Sequence, residues 1–166
     1  NPEKSKEYLD KAGEDIQRIS ESLSDIVWNI NTKYDDLQNL FVRMKRYAAD
    51  MMDGKNIRYE MEFPADAEKI NLPMDQRRNL YLVFKEAINN LVKYSKTGNA
   101  IVSVTADKKK IILLIKDFGA GFNLNEAAYG NGIANMHQRA AASNARLEIK
   151  SAPGLGTEIK LEMPVT

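Results

Sequence analysis

The sequence predicts an α+β fold, in which a two-layer α/β sandwich follows a long helix with a heptad pattern. Apolar side chains recur at heptad spacing up to residue 31. Beyond it, the patterns follow the order helix, strand, helix, two strands, helix and two strands. This order is typical of helices packed on one face of a mixed sheet. We therefore divide the chain into a helix, residues 1–31, and a globular domain, residues 32–166.

The composition fits a globular protein and argues against several functional classes. Of the 166 residues, 43% are hydrophobic and 28% are charged, and the net charge is +1. That charge gives no general reason to expect a nucleic acid or an anionic membrane as partner. The sequence has no cysteine, which excludes disulfides, thiolate catalysis and cysteine-bound zinc. No apolar run is long enough to cross a bilayer, and because the chain begins at Asn1 we expect a piece of a longer protein.

The first helix carries a strict heptad seam. The intervals between its apolar residues alternate between three and four, and these residues are Leu9, Ala12, Ile16, Ile19, Leu23, Ile26 and Ile30. A helix that packs on its own domain usually has a wider and less regular stripe. The seam therefore favours dimerisation through a coiled coil or a helical bundle, with a plain core helix as the alternative.

Periodicity and turn residues predict the first elements of the globular domain. A helix is expected that Asp35 or Asp36 caps and that Gly54 ends. Its predicted buried stripe consists of Leu37, Leu40, Phe41, Met44, Tyr47, Ala48 and Met51. Residues 57–63 then alternate apolar and charged side chains, which predicts a half-buried strand.

The next helix, residues 78–95, has two distinct faces. Its apolar stripe consists of Leu80, Phe84, Ile88 and Leu91. On the opposite side Glu86, Asn90 and Lys93 form a polar line, which Asn79, Val83 and Tyr94 flank. Asn89 falls off this line. A carboxylate one turn before a carboxamide, followed by an amine, suits a phosphate group with its Mg²⁺, and a solvated polar face is the alternative.

Two pairs of strands complete the predicted sheet. The first pair covers residues 100–106 and 110–116, and the second of these is apolar on both faces and therefore predicted to be central. A helix follows from residue 132 to about 144. Strands at residues 145–151 and 157–163 close the domain around a turn rich in glycine and proline.

Glycine pairs mark two candidate binding segments. Asp117 ends the buried strand, and its carboxylate could accept a hydrogen bond from an exocyclic amine such as that of adenine. Gly119 and Gly121 let the backbone turn closely against a flat ligand, although a plain turn is the alternative. Gly130 and Gly132 open a helix whose first amides lack partners, which suits a phosphate. A glycine loop without a ligand is just as common.

Two single residues carry weaker signals. Thr157 opens the last strand and, taken alone, is more typical of a β-former than of a binding residue. His137 is the only histidine of the sequence. It lacks the clustered ligands of a zinc site, and no serine or cysteine is arranged with it as a nucleophile. We therefore expect His137 to be an ordinary helical residue at or near the surface.

In this order along the chain, the motifs resemble the nucleotide-binding signature of the GHKL ATPase superfamily. The segment EAINNLVKYS (residues 86–95) resembles its N box, DFGAGF (117–122) its G1 box and GNGI (130–133) its G2 box. Gly156 and Thr157 precede the last strand as in that signature. The similarity is greatest to the catalytic and ATP-binding domain of sensor histidine kinases, and the short lid resembles the nitrate-sensing and lipid-fluidity-sensing subfamily.

The resemblance implies a Bergerat fold for the globular domain, with ATP and Mg²⁺ as ligands. It implies that residues 1–31 are the second helix of the dimerisation and phosphotransfer bundle. By the same resemblance Asn90 would coordinate Mg²⁺, and Glu86 would be the catalytic residue near the γ-phosphate. Lys93 would neutralise phosphate charge, and Tyr94 would flank the nucleotide.

The resemblance also assigns the adenine end of the site and the partners. Asp117 would bind the adenine amino group, helped by Thr157. The lid hinges would be shaped by Gly119, Gly121, Gly130 and Gly132. The phosphoryl group would pass to a histidine on a phosphoacceptor helix outside these residues and then to a response regulator. The full protein would be a dimer, and this part of it a cytoplasmic domain of a membrane-bound bacterial sensor, without nucleic acid or membrane contacts of its own.

Two departures from the family pattern and two rival functions remain. Tyr94 stands where the subfamily often has histidine, and Phe118 where asparagine is frequent. One rival is a GHKL serine/threonine kinase of the anti-sigma-factor type, against which the heptad seam argues. The other is a degenerate module that uses the fold for protein contacts, against which the set of Glu86, Asn90 and Asp117 argues.

Overall fold

The structure, a computed structural model, describes residues 1–31, 36–125 and 132–165. The chain divides into two compact units, Asn1–Asp35 and Asp36–Thr166. Each unit is described by itself. Among the described helices, none combines the length and the apolar character needed to cross a bilayer.

The described part of the first unit is a single helix, α1 (Pro2–Asn31). It begins at Pro2, and proline suits the first turn of a helix because its missing N–H would have no partner there. The seam residues with described side chains expose more than half of their surface in the single chain, and these include Leu9, Ile16, Ile19, Leu23 and Ile26. An exposed seam of this length is typical of a helix that pairs with another helix.

The second unit contains three helices and five strands within the described residues. They are α2 (Leu37–Asp53), β1 (Arg58–Glu62), α3 (Met74–Tyr94), β2 (Asn99–Ala106), β3 (Lys110–Asp117), α4 (Gly132–Ala142), β4 (Arg146–Ser151) and β5 (Thr157–Pro164). The strands form one sheet in the order β1-β2-β3-β5-β4. β1 pairs with β2 in parallel and the other pairs are antiparallel. The predicted α+β fold with a mixed sheet and a central β3 is confirmed.

The core lies between the sheet and the helix layer. Alternate residues of the inner strands point into it, and these include Val102, Val104, Ile111, Leu113, Ile115, Ile159, Leu161 and Met163. α3 contacts both α2 and α4 as well as β3. For this reason more of α3 is buried than the predicted apolar stripe. Val83, placed beside the polar line in the prediction, is fully buried.

The helix ends refine the sequence prediction. Asp36 caps α2, and its carboxylate accepts a hydrogen bond from the amide of Asn39 at 2.8 Å. Because α2 extends to Asp53, the residue four positions after Ala48 continues the buried face. That residue is Met52, which is fully buried and was not in the predicted stripe, whereas Tyr47 and Met51 of that stripe are only half-buried.

Candidate functional site

A cleft lies between α3, α4 and one end of the sheet. It encloses about 530 Å³ of open space, solvent at its mouth included. Apolar side chains dominate its walls and a few polar groups converge in it, as is typical of small-molecule sites. The lining residues are Ala87, Asn90, Leu91, Tyr94, Ser95, Ile115, Asp117, Gly121, Phe122, Ile133, Met136, Ile149, Thr157 and Ile159. Five residues that the sequence singled out are among them: Asn90, Tyr94, Asp117, Gly121 and Thr157.

Asp117 is a buried carboxylate at the sheet end of the cleft. It follows Ile111, Leu113 and Ile115 on the helix-facing side of β3, because alternate residues of a strand share a face. Only 5% of its surface is exposed, and its carboxylate accepts a hydrogen bond from the amide of Gly119 at 2.9 Å. Burial raises the pKa of Asp117, while the amides of Gly119 and Thr157 act in the opposite direction. The cleft therefore offers a strong hydrogen-bond acceptor in apolar surroundings.

Asp117, Thr157 and Ser151 form a row across three strands. Asp117 of β3 is paired with Thr157 of β5, which is paired in turn with Ser151 of β4. The Ser151 hydroxyl lies 2.8 Å from the Thr157 hydroxyl. It also accepts a hydrogen bond from the amide of Phe122 at 2.9 Å and donates one to the carbonyl of Gly156 at 3.1 Å. Ser151 was not among the predicted site residues, although the hairpin that joins β4 to β5 places it opposite Thr157.

The segment after Asp117 packs closely between α3 and the β4–β5 turn. The amide of Ala120 donates to the carbonyl of Ser95 at 2.6 Å, and the amide of Gly154 donates to the carbonyl of Ala120 at 2.7 Å. A Cβ atom on Gly119 would overlap the carbonyl oxygen of Ser95. A Cβ atom on Gly121 would overlap that of Ala152. These two glycines therefore allow a backbone approach that no side chain permits.

The α3 wall of the cleft carries part of the predicted polar line. Asn90 and Tyr94 line the cleft, and Glu86 lies one helical turn before Asn90. A Cβ atom on Gly132, the first residue of α4, would overlap the carboxylate of Glu86. The start of α4 therefore lies against the Glu86 carboxylate.

Lys93, the last residue of the predicted polar line, lies at the surface. Lys93 is exposed, with its ammonium nitrogen 5.0 Å from the centre of the Tyr94 ring, and it is not among the described residues that line the cleft. Gly130 lies outside the described residues. His137 is exposed on α4, as expected.

The two adjacent asparagines have different neighbours. Asn90 lines the cleft, whereas Asn89 Oδ1 accepts a hydrogen bond from the Tyr47 hydroxyl of α2. The Lys85 ammonium lies 5.6 Å from the centre of the same Tyr47 ring. Burial raises the pKa of the Tyr47 phenol, so this hydroxyl remains a donor at neutral pH. Asn89 therefore ties α3 to α2, and Asn90 is the asparagine of the cleft.

Comparisons with known proteins give a consistent result. The family model described as histidine kinase-, DNA gyrase B-, and HSP90-like ATPase matches residues 75–166. Sensor protein VraS of Staphylococcus saprophyticus is 29% identical over 106 residues, which are 63% of this chain and 30% of that protein. Sensor histidine kinase YhcY of Bacillus subtilis is 39% identical over 94 residues, 55% of this chain and 24% of that protein. The chain thus spans less than a third of either relative.

A solved structure agrees at the level of the fold. The blue-light-activated histidine kinase of Erythrobacter litoralis EL346 superposes with a TM-score of 0.69. The match covers 93% of this chain and 50% of that chain, at 15% identity. At this identity the likeness shows a shared fold and nothing finer.

Proposed function

This chain belongs to the histidine kinase-, DNA gyrase B-, and HSP90-like ATPase family, and from that premise we propose that it is the ATP-binding catalytic domain of a two-component sensor histidine kinase. It would transfer the γ-phosphoryl group of ATP to a histidine on a helix outside these 166 residues, for relay to a response regulator. Relatives named as a sensor protein and as a sensor histidine kinase support this choice within the family. The observation that carries it is the buried Asp117 carboxylate in an apolar cleft that Asn90 also lines.

The adenine base would occupy the sheet end of the cleft. Ile115, Met136 and Ile159 offer apolar walls for a flat ring, and Asp117 offers an acceptor for its amino group. Such a site rejects a ligand that lacks the matching donor, because the buried acceptor is then left unpaired. Thr157 would assist Asp117 from the neighbouring strand.

The phosphates would lie towards α3 and the start of α4. Asn90 supplies a carboxamide oxygen and Glu86 a carboxylate one turn away, and oxygen donors are the ligands that Mg²⁺ prefers. This donor set fits Mg²⁺, held by Asn90 together with phosphate oxygens. When bound, the ion would neutralise charge on the transferring group. Lys93, near the mouth of the cleft through its contact with Tyr94, would add positive charge.

The protein's part in the transfer is positioning and proton removal. The attacking imidazole nitrogen would form its bond to the γ-phosphorus as the bond to the ADP oxygen breaks. Glu86 would accept the proton that the imidazole loses, since it is the carboxylate nearest to Asn90 on α3. Its place against Gly132 ties this carboxylate to the start of α4.

The remaining assignments concern the longer protein. We propose that residues 1–31 form the second helix of a dimerisation and phosphotransfer bundle and that residues 32–166 form the ATP-binding domain. The exposed heptad seam of α1 supports a homodimer. We place this domain on the cytoplasmic side of a membrane-bound sensor, where ATP is available.

The two asparagines provide a matched test of the Mg²⁺ assignment. We expect Asn90→Ala to weaken binding of a non-hydrolysable ATP analogue in Mg²⁺ by about tenfold, or about 1.4 kcal/mol, because one metal ligand is lost. In calorimetric titrations of this variant, the affinity measured with Mg²⁺ and the affinity measured with EDTA should differ much less than they do for the wild type. Asn89→Ala should keep that difference and instead lower the free energy of unfolding by about 1 kcal/mol, through loss of the Tyr47 hydrogen bond. The reverse pattern would assign the metal to Asn89.

Phosphotransfer tests the proposed reaction. We expect a longer form of the protein that carries the phosphoacceptor helix to be labelled by ATP radioactive in the γ-phosphate, with an acid-labile, alkali-stable label. Glu86→Gln should slow labelling on the order of 10²-fold to 10³-fold, as for loss of a general base, with nucleotide affinity nearly unchanged. His137→Gln, on the exposed face of α4, should be labelled like the wild type. An acid-stable label would instead favour the serine/threonine kinase.

A further inference from the structure

Ser151 lies behind the cleft and makes three polar contacts through one oxygen. Its hydroxyl is 2.9 Å from the amide nitrogen of Phe122, 3.1 Å from the carbonyl oxygen of Gly156 and 2.8 Å from the hydroxyl of Thr157. Thr157 lines the cleft, whereas Ser151 is not among its described lining residues. Any effect of Ser151 on a ligand must therefore pass through its neighbours.

The chemistry of the three neighbours determines which hydroxyl donates. A hydroxyl has one hydrogen and two lone pairs. The Phe122 amide can only donate to Ser151, and the Gly156 carbonyl can only accept from it. The Ser151 hydroxyl donates its hydrogen to the Gly156 carbonyl and accepts the Phe122 amide with one lone pair. Its second lone pair is then left to accept the Thr157 hydrogen. If Ser151 instead donated its hydrogen to Thr157, the buried Gly156 carbonyl would lose this donor, which is unfavourable.

Once its hydrogen is donated to Ser151, the hydroxyl of Thr157, a residue that lines the cleft, has only lone pairs to offer a ligand. Its cross-strand neighbour Asp117 is also an acceptor when ionised. Two adjacent acceptors match the amino group of a 6-aminopurine, which has two hydrogens to donate. They oppose the carbonyl oxygen of a 6-oxopurine, which has none.

We propose that Ser151 is a specificity-determining residue, which directs the Thr157 hydroxyl away from the ligand and so strengthens the preference for adenine over hypoxanthine nucleotides. This inference rests on the proposed ATP site. Ser151 does not touch the nucleotide and acts as a positioning residue. Without its hydroxyl, the Thr157 hydrogen is free to turn into the cleft and donate to a 6-oxo group.

Titration calorimetry with ADP and IDP tests the proposal. The wild type should bind ADP more tightly than IDP. Ser151→Ala should weaken ADP binding several-fold, in part because the Phe122 amide loses its acceptor, and weaken IDP binding less. The ratio of the two dissociation constants should fall by roughly fivefold to tenfold, the range of one hydrogen-bond reversal.

Thr157→Val completes a double-mutant cycle. This variant removes the hydroxyl, so it should lower the ADP preference by itself. Ser151→Ala added to Thr157→Val should change the preference no further, because Ser151 acts through Thr157. Thermal melts check that each variant is folded. If Ser151→Ala does not fold, Thr157→Val alone still decides, since an unchanged preference there overturns the proposal.

Two results separate this proposal from its alternatives. An equal loss of ADP and IDP affinity in Ser151→Ala would show a purely structural role for Ser151, and the proposal would be wrong while the ATP site stood. A drop in preference that persists in the Thr157→Val background would show that Ser151 acts by another route. A wild type that binds neither nucleotide would instead contradict the proposed function.

Discussion

Asp117→Asn is expected to lower the affinity for a non-hydrolysable ATP analogue by on the order of 10²-fold. A hydrogen bond to a charged group contributes about 1.5–3 kcal/mol. The amides of Gly119 and Thr157 already require oxygens of residue 117, so in the variant the carboxamide NH₂ would face either a backbone amide or the adenine amino group. Two donors would then oppose each other. Isothermal titration calorimetry measures the loss directly.

Asp107→Asn is the matched control for this variant. Asp107 also accepts backbone hydrogen bonds, from the amides of Lys109 and Lys110 at 2.7 and 2.9 Å, but it lies in the exposed β2–β3 turn. The same substitution there should leave nucleotide affinity unchanged. Unchanged binding in Asp117→Asn as well would exclude Asp117 as the adenine acceptor.

The pKa of Asp117 adds a pH dependence with a definite sign. Burial raises this pKa in the folded state, so the folded protein favours the protonated carboxyl. The stability associated with it is present at low pH and is lost as pH rises through the folded-state pKa. At neutral pH the ionised Asp117 therefore costs stability, and Asp117→Asn should melt at the same or a higher temperature.

Nucleotide binding should show the opposite trend with pH. A protonated Asp117 is a poorer acceptor, so affinity should fall as pH is lowered, beginning above the ordinary aspartate value of 3.8. Asp117→Asn should lack this dependence. A titration series from neutral towards acid pH, with folding checked by circular dichroism at each step, provides the measurement.

Gly121→Ala is expected to lower the free energy of unfolding by about 3 kcal/mol or more and to weaken nucleotide binding. The added Cβ would overlap the carbonyl oxygen of Ala152 and lie 2.9 Å from that of Gly156. Both are backbone atoms, so the β4–β5 turn itself would have to move. Gly121 also has φ of +61°, which costs a non-glycine residue about 1 kcal/mol. Urea denaturation gives the size of the loss.

Gly154→Ala separates backbone strain from overlap. Gly154 lies in the same turn with φ of +79°, but a Cβ atom there meets nothing within 4 Å. Gly154→Ala should therefore lower the free energy of unfolding only by the cost of the backbone conformation, about 1 kcal/mol, and leave nucleotide affinity unchanged. Equal losses in the two variants would mean that close packing at Gly121 contributes nothing.

Local periodicity was enough to predict the elements and their type. The heptad seam of α1, the alternation in β1 and the apolar run of β3 are all patterns within single segments, and they depend on backbone geometry alone. The same holds for the choice between the twin asparagines. Helical register places Asn90 on the face of Glu86, and the structure has Asn90 in the cleft. The order of the motifs along the chain predicted the ATPase family, and the comparisons confirm it.

What depends on contacts between distant segments came only from the tertiary structure. Val83 is buried because α3 contacts helices as well as the sheet, and a single-helix pattern cannot show that. The Tyr47 bond that occupies Asn89 joins residues on two helices. The row of Asp117, Thr157 and Ser151 requires the register of three strands, of which β3 and β5 are far apart in sequence. Sequence patterns were enough to select the candidate nucleotide-binding side chains. The place of Ser151 behind them follows from the pairing of β4 with β5, because hydrogen-bond direction depends on neighbours in space.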